Sequence, residues 1–205
     1  MELLLASNND HKRLEISALL PEHSLITPAQ RQIVFEFEEN GDSFIANALG
    51  KAQELYSLAN APVLADDSGL IVDALNGGPG VYSARYGSHG EGLLSSIERN
   101  SLLLSHLETI PMEKRTARFV CAMALIVSPF RKFVVQETVE GYIATEPHGE
   151  GGFGYDPIFI VEQGALTMAQ LSPLEKNKIS HRARAAQQIA VLLREIEKKE
   201  IFYVC

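Results

Sequence analysis

The chain has 205 residues, 46% of them hydrophobic and 21% charged, and a formal charge of −8 with a pI near 5.3. Such a composition supports a sizeable packed core and does not describe a disordered chain, while the acidic balance speaks against a nucleic-acid binder, which needs basic surface to displace counterions. The apolar run Leu3-Leu4-Leu5-Ala6 follows Glu2 and is too short for a secretory signal or a membrane span, so no membrane partner is expected and the expected location is the cytoplasm.

In chain order, residues 2–6 read as a buried strand. Ser7-Asn8-Asn9-Asp10 then supplies turn and helix-cap chemistry before a helix over 11–20 closed by Pro21. A second helix is expected from Asp42 or Ser43, because Phe44, Ile45, Ala48, Leu49, Ala52, Leu55, Tyr56 and Ala59 recur with helical period. Pro62-Val63-Leu64-Ala65 reads as a short strand running into Asp66-Asp67-Ser68-Gly69, with 70–72 continuing extended. A helix is expected over 91–107. A hairpin is expected from 118–127 and 133–141 around Ser128 to Lys132, and another strand over 157–161. Ser172-Pro173-Leu174-Glu175 fits a capping box with proline at the first helical position, and a last helix should cover 182–198. The mixture of crossover helices and a hairpin predicts an α/β fold with a mixed sheet. The cysteines, Cys121 and Cys205, have neither a disulfide nor a zinc spacing, and Cys121 lies in an apolar run where it reads as core.

Four segments could carry chemistry. Ser7-Asn8-Asn9-Asp10-His11-Lys12 lies between strand and helix, where backbone amides attract anions and Lys12 adds a cation; a plain capped helix is the simpler reading, and the glycines of a Walker loop are missing. Asp66 and Asp67, with Glu36, Glu38 and Glu39, offer carboxylates that could hold Mg²⁺ or accept a proton from water. Against that, either aspartate could cap a turn and the glutamates could be a solvated face. Gly149-Glu150-Gly151-Gly152-Phe153-Gly154-Tyr155-Asp156 has four glycines in its first six positions, which permits close approach of a ligand, and its aromatic residues argue against a mere flexible loop. Lys176 and Ser180-His181-Arg182 place cations where the last helix begins. Tyr82-Ser83-Ala84-Arg85-Tyr86 is open between a lid and core-facing support.

Taken in order, these segments resemble the inosine triphosphate pyrophosphatase (ITPase) family, in particular its bacterial RdgB-type members, which act on dITP, ITP and XTP. The matching residues are 7–12, Phe44 to Ala48 with Lys51-Ala52, Ala65 to Leu70, Gly78 to Tyr86, Gly152 to Phe159, and Lys176 with Ser180-His181-Arg182. The family often has glycine where Asn8, His11 and Ala183 stand here. The resemblance covers nearly the whole chain and implies an elongated mixed β-sheet flanked by helices, with two lobes and a central nucleotide cleft. Residues 1–205 would then form one pyrophosphatase domain, usually a homodimer.

The same resemblance implies Mg²⁺-dependent attack of water that splits a purine nucleoside triphosphate into monophosphate and pyrophosphate. By position, Asp67 would be the catalytic base and a metal contact, with Glu38 a further metal ligand and Glu39 its neighbouring alternative. Ser7, Asn8, Asn9, Asp10, His11 and Lys12, with Ser68 and Lys176, would hold the triphosphate. Phe153, Gly154, Tyr155 and Asp156, with His181 and Arg182, would read the base and favour a 6-keto purine. Two rivals are a Maf-like nucleotide pyrophosphatase with another base preference and a catalytically silent nucleotide sensor; an uncompensated carboxylate beside a phosphate speaks against the sensor.

Overall fold

The computed structural model describes residues 1–7, 9–88, 92–162 and 164–202, the last four by their backbone alone. Strand β1 (Glu2–Leu5) is followed by helix α1 (Asp10–Leu19), whose N-cap Asn9 accepts the Lys12 amide on Oδ1 at 3.2 Å. Strand β2 (Ser24–Ile26), too short to announce itself in the sequence, precedes helix α2 (Phe44–Ala59), capped by Ser43. Then come β3 (Val63–Val72), α3 (Ser96–His106), β4 (Thr116–Ser128), β5 (Arg131–Ile143), β6 (Phe159–Val161), α4 (Pro173–Ile179) and α5 (His181–Phe202).

Among the described residues six strands form one sheet in the order β2-β1-β3-β4-β5-β6. Strand β1 pairs parallel with β2 and β3, whereas β5 and β6 pair antiparallel. The expected mixed α/β sheet is therefore present. Several boundaries differ from the sequence-based expectations, the last helix among them, which runs to Phe202 rather than 198; three of the differences bear on the site. Helix α3 begins at Ser96, since Ser95 and Glu98 make a reciprocal capping box that stops the helix there; Glu91 lies outside the described residues. Residues 156–158 form a 3₁₀ turn, so the following strand starts at Phe159. Strand β3 is continuous, which places Asp66 and Asp67 inside a strand rather than at the end of a short one.

The chain divides into two compact units, each assembled from separate stretches. One comprises Met1–Asp67, Cys121–Glu137 and Arg182–Cys205, and the other Ser68–Val120 and Thr138–His181. The core of the first unit follows the strand and helix periods. Leu3 and Leu5 of β1, with Cys121, Met123 and Leu125 of β4, alternate onto one face. Ile16 of α1 and Ala185, Ala186, Ile189, Leu193 and Ile196 of α5 pack against them at helical spacing. The second unit buries Leu70 and Val72 of β3, Phe119 of β4 and Val139 and Ile143 of β5 with Leu103 of α3, Tyr155 and Phe159. Among the described residues no helix is long and apolar enough to cross a membrane.

Cys121 sits in the first core, fully buried, and burial together with the nearby Asp66 carboxylate pushes its thiol up to about 12. A thiol that is neither ionised nor reachable does not react. Iodoacetamide at about pH 8 should therefore leave Cys121 unmodified in native protein and label it fully in urea, as read by peptide mass spectrometry. Native labelling of Cys121 would contradict the packing described here.

Candidate functional site

Helix α2 places two polar residues, Asn47 and Lys51, one turn apart on its buried face among Phe44, Ala48, Ala52 and Leu55. Asn47 is used at both ends: Oδ1 accepts the Gly41 amide at 2.8 Å and Nδ2 donates to Asp67 Oδ2 at 3.0 Å. The Lys51 ammonium lies 2.5 Å from Glu39 Oε1 and 3.6 Å from Asp67 Oδ1. Between these two polar ties the Phe37 ring packs onto Gly50, where a Cβ would come within 2.7 Å of Phe37 Cζ. Loop 36–41 is thus fastened to α2 by one hydrophobic and two polar contacts, and Glu39 is the glutamate it brings beside Asp67. Glu38 is exposed and accepts from the Asn40 amide at 2.9 Å.

Asp66, the preceding residue of β3, has a different environment. Its Oδ2 is 3.4 Å from Lys12 Nζ of α1 and 3.4 Å from Arg182 of α5. Arg182 is itself fully buried and also donates to Glu15 at 2.5 Å. Burial alone would raise the Asp66 carboxyl; Lys12, Arg182 and Lys51 outweigh it and hold the group well below the usual carboxylate range. Asp67 goes the other way. Burial lifts it above its ordinary value, Lys51 pulls down against that lift, and Glu39 adds to it. Lys51 loses stability as an ion through burial, yet Asp67, Asp66 and Glu39 raise its pKa overall, so it remains charged. Two adjacent carboxylates therefore differ sharply in basicity, an arrangement that separates a fixed charge from a proton acceptor.

In the second unit the glycine-rich loop closes on a buried ion pair. Asp156 Oδ2 accepts the Phe153 amide at 2.8 Å and the Lys176 ammonium at 2.6 Å, with both side chains buried. The same ammonium lies 5.0 Å from the centroid of the Phe153 ring. Gly152, at φ +70°, has the positive φ this turn requires, and a Cβ there would come within 2.0 Å of Asp156 Oδ2. The Tyr155 hydroxyl donates to the Ser83 carbonyl at 2.9 Å, and His181 stacks on Phe119 with ring centroids 4.8 Å apart. Ser83 is buried while Tyr82 is exposed beneath the Arg85 guanidinium, so the Tyr82–Tyr86 segment includes core-facing support.

The sequence-predicted residues thus fall into two groups. Lys12, Glu39, Asp66, Asp67 and Arg182 belong to the first unit, with Ser7 half-buried and Asn9, Asp10 and His11 exposed at the start of α1. Ser68, the aromatic loop, Lys176 and His181 belong to the second. Asn8 lies outside the described residues. Among the described residues no group of three or more His, Cys, Asp or Glu forms a metal cage. A magnesium ion needs less than that, since it takes one or two carboxylates and completes its shell with water and phosphate oxygens. The oxygen pair of Glu39 and Asp67, facing the Lys51 cation, has the right chemistry for it.

The sequence pattern of the Ham1 family matches residues 3–192. The chain belongs to the Ham1 family. It is 48% identical over 191 residues to a Treponema denticola protein named dITP/XTP pyrophosphatase, covering 93% of this chain and 97% of that one. A Bacillus subtilis protein of the same name is 45% identical over 194 residues, covering 94% and 96%. The solved structure of a Ham1 protein from Coxiella burnetii superposes with a TM-score of 0.85 at 40% identity, covering 95% of this chain and 99% of that one. The family resemblance drawn from the ordered motifs is borne out.

For this Ham1-family chain, sequence reasoning passed over Asn47, Lys51 and Glu15 as site residues. A signal for the first two was present: an amide and an ammonium at i and i+4 on an otherwise apolar helix face need a buried partner. Glu15 carried none, since a glutamate within α1 is ordinary.

Asp66 generates a test. A carboxylate whose folded pKa is depressed contributes stability that is present above its unfolded value and lost as pH falls through the folded one. Asp66→Asn leaves Lys12 and Arg182 without their shared counter-charge, and breaking such a buried pair costs about 3–5 kcal/mol. Urea unfolding should show that gap between wild type and variant at about pH 7, narrowing as pH is lowered below about 4. An equal gap at both pH values would mean that Asp66 is not held ionised by these partners.

Proposed function

We propose that this chain is a nucleoside-triphosphate pyrophosphohydrolase that converts non-standard purine nucleotides, dITP, ITP and XTP, to the monophosphate and pyrophosphate, cleansing the nucleotide pool. The observation that carries the reading is the split between Asp66 and Asp67: one carboxylate locked by two cations, its neighbour raised in basicity beside a second carboxylate. The names of the relatives supply the substrate class.

In this reading Asp67 takes the proton from the attacking water while the α–β anhydride bond breaks and pyrophosphate leaves with its electron pair. Asn47 holds Asp67 Oδ2 in place, and burial, with Glu39 adding to it, keeps the carboxylate a better base than an isolated one. Lys12 and Lys51 neutralise charge on the polyphosphate, and such cations count most where charge develops in the transition state. Asp67 with Glu39, or with Glu38 as the resemblance implies, would hold Mg²⁺, which when bound supplies charge neutralisation at the phosphate oxygens. Ser7 to Lys12, Ser68 and Lys176 complete the triphosphate contacts. The loop 153–156 reads the base with His181, while Arg182 acts through Asp66. Donors aimed at a 6-keto oxygen are left unpaired by the 6-amino group of adenine, a loss of about 1–3 kcal/mol per buried group. On the same reading the whole chain works as one domain and as a homodimer, which the family resemblance implies, and in a cytoplasmic setting, which the sequence leads us to expect.

Purified protein with Mg²⁺ should release pyrophosphate from ITP and XTP, with ATP and GTP much poorer substrates, and Asp67→Asn should abolish turnover while leaving nucleotide binding measurable. Loss of about 10³-fold or more in kcat is expected for removal of a general base. Orthophosphate as the product would indicate a phosphatase, and tight binding with no turnover would leave the sensor in its place.

A further inference from the structure

Helix α3 and the Tyr82–Tyr86 segment have no part in the reaction as derived above, yet both attach to the loop 153–156. Asn100 of α3 is buried, and its Nδ2 donates to the Gly154 carbonyl at 3.1 Å. One residue on, the Tyr155 hydroxyl donates to the Ser83 carbonyl at 2.9 Å. Ser83 is itself held, since its Oγ accepts the Leu70 amide at 2.9 Å and donates to the Gly80 carbonyl at 2.6 Å. Burial raises the Tyr155 phenol, against the pull of Arg99, so the hydroxyl keeps the proton it donates. Consecutive loop residues are thus tied to two different elements, one through its backbone and one through its side chain.

The orientation of the Asn100 amide is dictated by this contact. With Oδ1 turned toward Gly154, two acceptors would face each other, so Nδ2 must point there. The result leaves Asn100 Oδ1 buried with no hydrogen-bond partner among the described residues. A buried amide satisfied at one end only is a poor packing element compared with an apolar side chain of the same size. Its contribution lies at the satisfied end. Because a trans peptide points its C=O and N–H in opposite directions, drawing the Gly154 carbonyl toward α3 aims the Tyr155 N–H away from it.

We propose that Asn100 is a positioning residue for base selection: without touching the nucleotide, its amide fixes the Gly154–Tyr155 peptide and so the donors that the loop presents to the base. The inference rests on the reading that residues 153–156 face the base.

The test compares kcat/KM for ITP and ATP in Asn100→Leu, which keeps volume and removes the donor, and in Asn100→Asp, which sets an oxygen against the Gly154 carbonyl. Phe153→Ala is run alongside, each variant at a temperature where circular dichroism shows it folded. The expected result is a fall in the ITP-to-ATP ratio of about tenfold or more in both Asn100 variants, carried mainly by KM for ITP, with pyrophosphate still the product. A loss shared equally by the two substrates, as mere structural damage would give, overturns the proposal. If Phe153→Ala lowers the ratio and the Asn100 variants do not, the loop reads the base and only the role of Asn100 fails. If Phe153→Ala leaves the ratio intact, the reading beneath fails and the proposal with it. Should neither Asn100 variant fold, Tyr155→Phe decides. It removes the hydroxyl that donates to Ser83 and meets Arg99; a lowered ratio supports positioning from beneath the loop, and an unchanged one overturns it.

Discussion

Two consecutive carboxylates inside a buried strand are an electrostatic burden that a fold must answer, and the first unit is organised around the answer. Strand geometry turns adjacent side chains to opposite faces, so Asp66 and Asp67 make their direct contacts with different side chains, although Lys12 and Lys51 act on both through charge. Asp66 receives Lys12 from α1 and Arg182 from α5, while Asp67 receives Asn47 and Lys51 from α2. An unpaired ion in such a place would cost several kcal/mol even after relaxation. The helices that pack on β1, β3 and β4 through leucines and alanines are therefore also tied to one strand by charge.

The consequence for chemistry is that the two acids are not equivalent. Asp66 is spent: its charge is cancelled by fixed cations, and it in turn fixes the Lys12 ammonium. Asp67 is pushed toward greater basicity by burial and, behind that, by its like-charged neighbour Glu39, with Lys51 pulling against both. Environments that drive neighbouring titratable groups apart assign their roles more firmly than residue type does. Loop 36–41, which has no regular structure of its own, acquires a defined place only because Phe37, Glu39 and Gly41 each meet a residue of α2.

The second unit solves a different problem, holding a glycine-rich loop still. Asp156 and Lys176 pair across it, and the same aspartate accepts the Phe153 amide, so the loop is closed by an ion pair and a hydrogen bond on one oxygen. From beneath, Asn100 and Ser83 engage Gly154 and Tyr155. On the proposed reading, in which this loop distinguishes a keto oxygen from an amino group, flexibility brings no gain, because discrimination depends on donors being in place before the ligand arrives.

Much of this was legible in the 205 residues. The 3.6-residue spacing from Phe44 to Ala59, the short apolar runs of the strands and the capping box at Ser172 predict their elements, since these signals depend only on local pattern and backbone chemistry. The ordered motifs were enough to place the chain in its family. The sequence could not say that Glu39 rather than Glu38 meets Asp67, for adjacent residues of an irregular loop have no period to separate them. Nor could it say that Asp66 and Asp67 would differ in basicity, or that Asn100 would reach a carbonyl 54 residues away. Those outcomes depend on which side chains from distant stretches converge, and burial and charge act through distance in space. Local order belongs to the sequence read alone; the partners that give each polar group its chemistry were decided by the tertiary structure.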